Sequence, residues 1–225
     1  MSLRLPARLL LLGAPGSGKG TQSSRLLKVF PQIDALSSGD ILRNEILQKT
    51  PLGLEASKFM QRGELVPDST IVGVIASRMK REQTSADSGS WLLDGFPRTK
   101  VQAEALDGML GHEQNINLVV ELDVDQDVIL QRIESRWVHP GSGRVYNIDY
   151  NPPKVPFKDD VTGEPLVKRP DDTAEVFQKR LDSYNTMLHP LKEYYSGKDV
   201  LVSLKGNTSD VIFPQLKSLI EDRFS

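Results

Sequence analysis

Residues Gly13-Ala14-Pro15-Gly16-Ser17-Gly18-Lys19-Gly20-Thr21 decide how this chain folds at its start. They follow the leucine run 9–12, whose unbroken apolar character predicts a buried strand, and they lead into 22–30, which predicts the first helix. In that strand–loop–helix context the spacing Gly13-x4-Gly18-Lys19 is a P-loop pattern. Glycines let successive amides curl around a phosphate, the helix N-terminus adds partial positive charge, and Lys19 reaches the terminal phosphates. The plain alternative is a glycine-rich turn that only joins a strand to a helix. One departure matters: Gly20 stands where Ser or Thr usually follows the lysine, and Thr21 comes next. A metal there would be held by phosphates and water more than by a hydroxyl.

The chain has 225 residues, enough for one large α/β domain with a small insert. Its net charge of −2 supplies no basic field, so no nucleic-acid partner is expected. Absence of cysteine excludes disulfides and thiolate metal sites. No apolar run approaches the ~20 residues of a membrane span, so no membrane partner is expected. No acidic residue precedes Asp34, whereas Arg4, Arg8, Arg25 and Lys28 do. That pattern suits an uncleaved organellar signal overlapping the fold, or arises by chance.

Strand-like runs recur at 9–12, 33–36, 91–93, 118–122 and 200–204. Helical periodicity covers 39–48, 52–62, 69–81, 100–110, 125–136, 174–195 and 210–223. This alternation predicts an α/β fold: a parallel five-stranded sheet with helices on both faces and ligands at the carboxyl ends of the strands. Residues 138–172 break the rhythm with clustered Pro and Gly and short alternating pieces, predicting a small antiparallel β insert. The expected division is a core of 1–36, 67–137 and 173–225, a helical segment 37–66 and the insert 138–172. Arg132 and Arg136 precede the insert and Arg169 and Arg180 follow its last turns, which suits a lid closing over phosphates.

Asp94-Gly95-Phe96-Pro97-Arg98 ends the strand 91–93. A carboxylate there, beside a P-loop strand, is where a Mg2+-bound water is held in P-loop enzymes; a loop-capping aspartate is the plainer role. Ser38 is the expected N-cap of the second helix, with Asp40 in its first turn and Arg43 about one turn on.

Together the P-loop, Ser38-Gly39-Asp40 with Arg43, Asp94–Arg98 with Gln102, and the lid segment resemble adenylate kinases of the long-lid type over essentially the whole chain. Ser90-Trp-Leu-Leu-Asp94, Arg136-Trp-Val-His-Pro140, Ser142-Gly-Arg-Val-Tyr-Asn147 and Thr162-Gly-Glu-Pro-Leu166 resemble the mitochondrial-matrix branch, the GTP:AMP phosphotransferases. The resemblance implies a P-loop nucleoside monophosphate kinase fold. It implies that Gly16, Ser17, Gly18, Lys19, Gly20 and Thr21 hold the donor triphosphate, with Arg132, Arg136, Tyr146 and Thr208 completing the donor site. It assigns Ser38, Arg43, Glu64, Leu65, Val66, Gly95, Arg98, Gln102, Arg169 and Arg180 to AMP. Lys19, Arg98, Arg136, Arg169 and Arg180 would be catalytic, and Asp94 would bind Mg2+ through water. The implied partners are GTP or ITP, with ATP the alternative donor, and AMP. The implied setting is a monomer in the mitochondrial matrix, with the cytoplasm the alternative.

AMP phosphate is already an anion, so the chemistry needs positive charge and no general base. His139 with Ser142, and Asp159 with Thr162, fall where relatives carry zinc ligands; with no thiolate, hydrogen bonds are expected there and no structural zinc. His112, His189, Tyr184, Tyr194, Tyr195, Trp91 and Trp137 are expected to pack rather than bind. Two alternatives stand beside the leading one: an ATP:AMP adenylate kinase, and a nucleotide-binding regulatory protein without turnover. A GTPase-like switch lacks support because no Asn-Lys-x-Asp motif is present.

Overall fold

The computed structural model describes residues 3–64, 66–83, 89–111, 114–169 and 172–225, with backbone alone for 76–83. Leu65, expected at the AMP site, and His112 lie outside the described residues. Five strands, β1 (Arg8–Leu12), β2 (Asp34–Ser37), β3 (Trp91–Asp94), β4 (Leu118–Asp123) and β7 (Leu201–Lys205), form one sheet in the order β2-β3-β1-β4-β7. Every pairing in it is parallel. The leucine run of β1 feeds both faces because successive side chains point to opposite sides. Leu9 and Leu11 enter a core with Leu26, Val120 and Ile129. Leu10 and Leu12 enter a second core with Leu36, Leu93 and Val119.

Helices α1 (Lys19–Val29), α2 (Ser38–Leu47), α3 (Pro51–Gln61), α4 (Asp68–Gln83), α5 (Lys100–Leu110), α6 (Gln126–Glu134), α7 (Ala174–Ser196) and α8 (Ser209–Phe224) connect and cover the strands. Hydroxyl caps start five of them: Ser37, Thr50, Thr99, Thr173 and Thr208 each accept a backbone N–H from the first turn. Three sequence expectations are corrected here. Helix α1 starts at Lys19 rather than Gln22, because Gly18 takes the left-handed turn that ends the loop (φ 94°). Ser37, not Ser38, caps α2, since its Oγ accepts from Asp40 N at 3.3 Å. Helix α6 stops at Glu134, and Arg136 opens a strand instead.

That strand, β5 (Arg136–Val138), pairs antiparallel with β6 (Val145–Asn147). Bridges Val138↔Val167, Asn147↔Asn151 and Lys158↔Pro165 close the rest of the insert. The insert has little apolar interior, and polar bonds take over its role. Asp159 is 2% exposed and accepts from Arg144 at 2.7 and 2.6 Å, from Tyr146 Oη at 2.8 Å and from Thr162 N at 2.8 Å. These donors hold its carboxyl far below the usual carboxylate range. His139 bonds Ser142 Oγ at 2.7 Å and Glu164 Oε2 at 2.6 Å. The expected hydrogen bonds at these positions are present.

Candidate nucleotide site

Parallel pairing sets Leu11 of β1 beside Asp94 of β3, so the P-loop and the Asp94–Arg98 turn leave the sheet side by side. Gly16 packs so closely on α6 that an added Cβ would meet Ile129 at 2.8 Å and Ile133 at 3.0 Å, and its φ of 83° suits glycine alone. Helix α1 carries no side-chain cap, in contrast to α2, α3, α5, α7 and α8. Its first amides therefore face the loop without a hydroxyl competitor, and the helix dipole adds positive potential there. Ser17 Oγ is buried and has no protein partner. Lys19 Nζ curls over the loop, donating to the Gly13 carbonyl at 2.7 Å and the Ala14 carbonyl at 2.9 Å.

Six cations from separate parts of the chain, Lys19, Arg43, Arg98, Arg136, Arg169 and Arg180, lie close enough to act on one another's charge. Burial depresses Lys19 to about 8, and the charges of Arg98 and Arg136 push it the same way while Asp94 opposes them. Burial, then Arg180 and Arg43, depress Arg98 to about 10. Burial, then Arg43 and Arg136, depress Arg169 to about 10. Guanidinium groups stay protonated at such values at neutral pH, so these shifts report burial first and crowding of like charge second. A polyanion relieves that crowding. Lys19 is the member whose proton is lost within reach of experiment. A triphosphate favours its charged form, so once the phosphates are ionised, above about pH 7, donor affinity is expected to hold to about pH 8 and to fall as pH rises further. Calorimetry in buffers of different ionisation enthalpy above about pH 7.5, where phosphates are already ionised, should show proton uptake on donor binding.

The other expected residues fall into two groups around the loop. Ser38 is 2% exposed and donates to the Gly95 carbonyl at 2.7 Å, which stitches α2 to the Asp94–Arg98 turn. Arg98 Nε donates to the same carbonyl at 2.6 Å. Arg43 pairs with Asp40 within α2. Val66 is 7% exposed and packs in the second core, while Glu64 is exposed and pairs with Arg62 at 3.0 Å. Gly63 fits against Val176 and Arg180 of α7, which brings this segment to the cation cluster. On the other side, Arg136 donates to Asp172 at 2.8 Å, and the Arg132 guanidinium donates to the Asn207 carbonyl. Thr208 spends its hydroxyl on the α8 cap.

Two expected contacts read differently in three dimensions. Tyr146 is 5% exposed, and its hydroxyl is occupied by Asp159 and by the amide of Asp160 at 2.8 Å, so its side chain builds the interior of the insert. Gln102 has both ends engaged: Oε1 accepts from Arg98 N at 2.7 Å and Nε2 donates to Asp68 Oδ1 at 2.7 Å. Gln102 thereby positions Arg98. Asp68 and Asp172, which hold Gln102 and Arg136, were missed in the sequence; a carboxylate flanking Pro-rich or loop segments carries no local signature.

Asp94 lies beside the loop, with Oδ2 3.9 Å from where a side chain at Gly20 would begin. Burial, then the charge of Asp40, pushes its carboxyl up against the pull of Lys19 and the arginines. Among the described residues no three carboxylate or histidine groups gather as a metal cage. One carboxylate facing a phosphate site suits a hydrated Mg2+, which keeps its waters and takes further oxygens from the substrate.

The adenylate kinase family model matches residues 11–200. The chain belongs to the adenylate kinase family. It is 57% identical over 220 residues to a GTP:AMP phosphotransferase, mitochondrial, of Saccharomyces cerevisiae, covering 97% of this chain and 94% of the yeast protein. A Drosophila melanogaster protein of the same name is 41% identical, with 97% of each chain covered. An adenylate kinase of Gloeobacter violaceus is 45% identical, covering 95% of this chain and 98% of its own. The chain is thus a phosphotransferase acting on nucleotides, and the five-stranded sheet with its separate two-stranded insert is the fold of a nucleoside monophosphate kinase.

Proposed function

We propose that this adenylate kinase transfers the terminal phosphoryl group of GTP or ITP to AMP, giving ADP and the nucleoside diphosphate. The observation that carries the reading is the convergence of Lys19, Arg43, Arg98, Arg136, Arg169 and Arg180 beside an uncapped helix N-terminus and Asp94. The donor would lie on the P-loop amides with its base toward Arg132 and the 206–208 turn. AMP would lie among Ser38, Gly95, Arg98 and the 63–66 segment. A phosphate oxygen of AMP attacks the terminal phosphorus, and the bond from that phosphorus to its bridging oxygen breaks. No proton needs to move. Lys19 and the arginines balance charge on the transferring group, which is the dominant catalytic demand in such displacements. Mg2+, held by Asp94 through water, would supply further charge neutralisation on the phosphates. Segments 37–66 and 138–172 would close over the two nucleotides to exclude water, which otherwise competes as acceptor.

The preference for GTP rests on the names of the yeast and fly relatives, as does a mitochondrial location, and the matrix is proposed from the resemblance to that branch. Monomeric action is proposed because both nucleotide positions are built from one chain. Initial rates of ADP formation from AMP and Mg2+ with GTP, ITP or ATP test the reading. Faster transfer from GTP and ITP is expected, since both carry O6 on the base. Preference for ATP would move the protein to the ATP:AMP branch, and no transfer from any donor would leave a nucleotide-binding protein.

A further inference from the structure

Arg132 is gripped from two sides. From the core, its guanidinium donates to the Asn207 carbonyl, and Asn207 Nδ2 donates to Asp125 Oδ2 at 2.7 Å. From the lid, Asn147 Nδ2 donates to the Arg132 carbonyl at 2.9 Å, and the guanidinium lies 5.7 Å from the ring centroid of Tyr150. Tyr150 stands on a tight turn after β6, where Asn147 Oδ1 accepts from the amides of Asp149 and Tyr150 at 3.0 Å each. Its hydroxyl reaches out of the lid and donates to Asp210 Oδ2 of α8 at 3.0 Å. The other Asp210 oxygen pairs with Arg25 of α1 at 2.7 Å, and Arg25 lies 5.7 Å from the Phe213 ring centroid. A single lid side chain thus touches the donor-side arginine with its ring and, with its hydroxyl, a carboxylate fixed between the helix that follows the P-loop and the helix that follows β7.

We propose that Tyr150 is a positioning residue for the donor nucleotide and the latch that closes the lid on the core through Asp210 and Arg25. The proposal rests on the reading that Arg132 faces the donor base. The ring fixes the plane of the guanidinium through a cation–π contact, and the Asn207 carbonyl fixes its direction. Asp210 is largely exposed, so its bonds are weak enough to break in each cycle. A latch needs that property, because the lid must open to release product.

Tyr150→Phe keeps the ring and removes the hydroxyl, and Asp210→Ala removes the acceptor. Each is expected to raise the donor KM by about three- to tenfold, the worth of one solvent-exposed hydrogen bond, and to leave the AMP KM within about twofold. The double variant should be no worse than Asp210→Ala alone, since that change already removes the Tyr150–Asp210 contact. Tyr150→Leu should raise the donor KM further by releasing Arg132. A residue that only stabilised the lid would instead lower the melting temperature and disturb both substrates, so melting curves accompany the kinetics. An unchanged donor KM in Tyr150→Phe, or single effects that add in the double variant, would overturn the latch. Wild-type protein that transfers phosphoryl from no donor would overturn the proposed function instead. Calorimetric titration of GTP into wild type and Tyr150→Phe would then decide the latch, with equal affinities counting against it.

Discussion

Replacing Arg98 by alanine is expected to lower kcat by about 10²- to 10⁴-fold, the range seen when a charge-stabilising group is removed from phosphoryl or acyl transfer. Arg98 sits where the P-loop strand and the Asp94 strand end side by side, and it senses Arg180, Arg43 and Asp94 at once. Its backbone is held by Gln102 and its Nε by the Gly95 carbonyl, so the guanidinium is aimed before substrate arrives. Preorganised charge of this kind costs no reorganisation during the reaction. Stability should move the other way or not at all. Removing one of several crowded cations relieves repulsion, and Arg98 packs in neither hydrophobic core. Arg98→Lys should recover only part of the rate, because an ammonium cannot present the same fork. The check is kcat alongside a melting curve. Near-normal turnover in Arg98→Ala, or loss of activity that merely tracks unfolding, would count against the role.

Lys19→Met should be comparably damaging, with kcat lowered by about 10²- to 10³-fold at unchanged or higher melting temperature. Lys19 is held at about 8 chiefly by burial, so carrying its charge costs the folded protein something that methionine does not. The variant also has a second readout. The decline of donor affinity above about pH 8, and the accompanying proton uptake, should vanish with the amine. A variant that keeps the same pH dependence would show that another group titrates, and Lys19 would then be a structural strut across the Gly13 and Ala14 carbonyls.

Much of this protein was legible in one dimension because local rules settle it. The leucine run 9–12 had to be buried on both faces, and β1 lies between two cores. The span 100–110 matches α5. The P-loop declares itself because its glycines serve a backbone path that other residues cannot follow, as the φ values at Gly16 and Gly18 record. Boundaries were less legible. Whether Ser37 or Ser38 caps α2 depends on which hydroxyl the Gly95 turn claims, and that turn is 57 residues away in sequence from Ser38. Arg136 continues the helical periodicity of 125–136, yet pairing with Asn147 takes it into β5.

The sequence by itself determined the fold class, the phosphate loop and the set of basic residues, since each follows from short-range periodicity or from the stereochemistry of a few adjacent residues. Only the tertiary structure decided what those residues do to one another. Lys19 is depressed because burial and arginines from elsewhere in the chain meet around it, Gln102 is spent on Asp68 and Arg98, and Tyr146 turns inward to Asp159 while Tyr150 turns outward to Asp210. Coulomb interactions and hydrogen bonds depend on distance in space, and in this chain the decisive distances are closed by strand register and by the packing of the insert against the core, which no local pattern encodes.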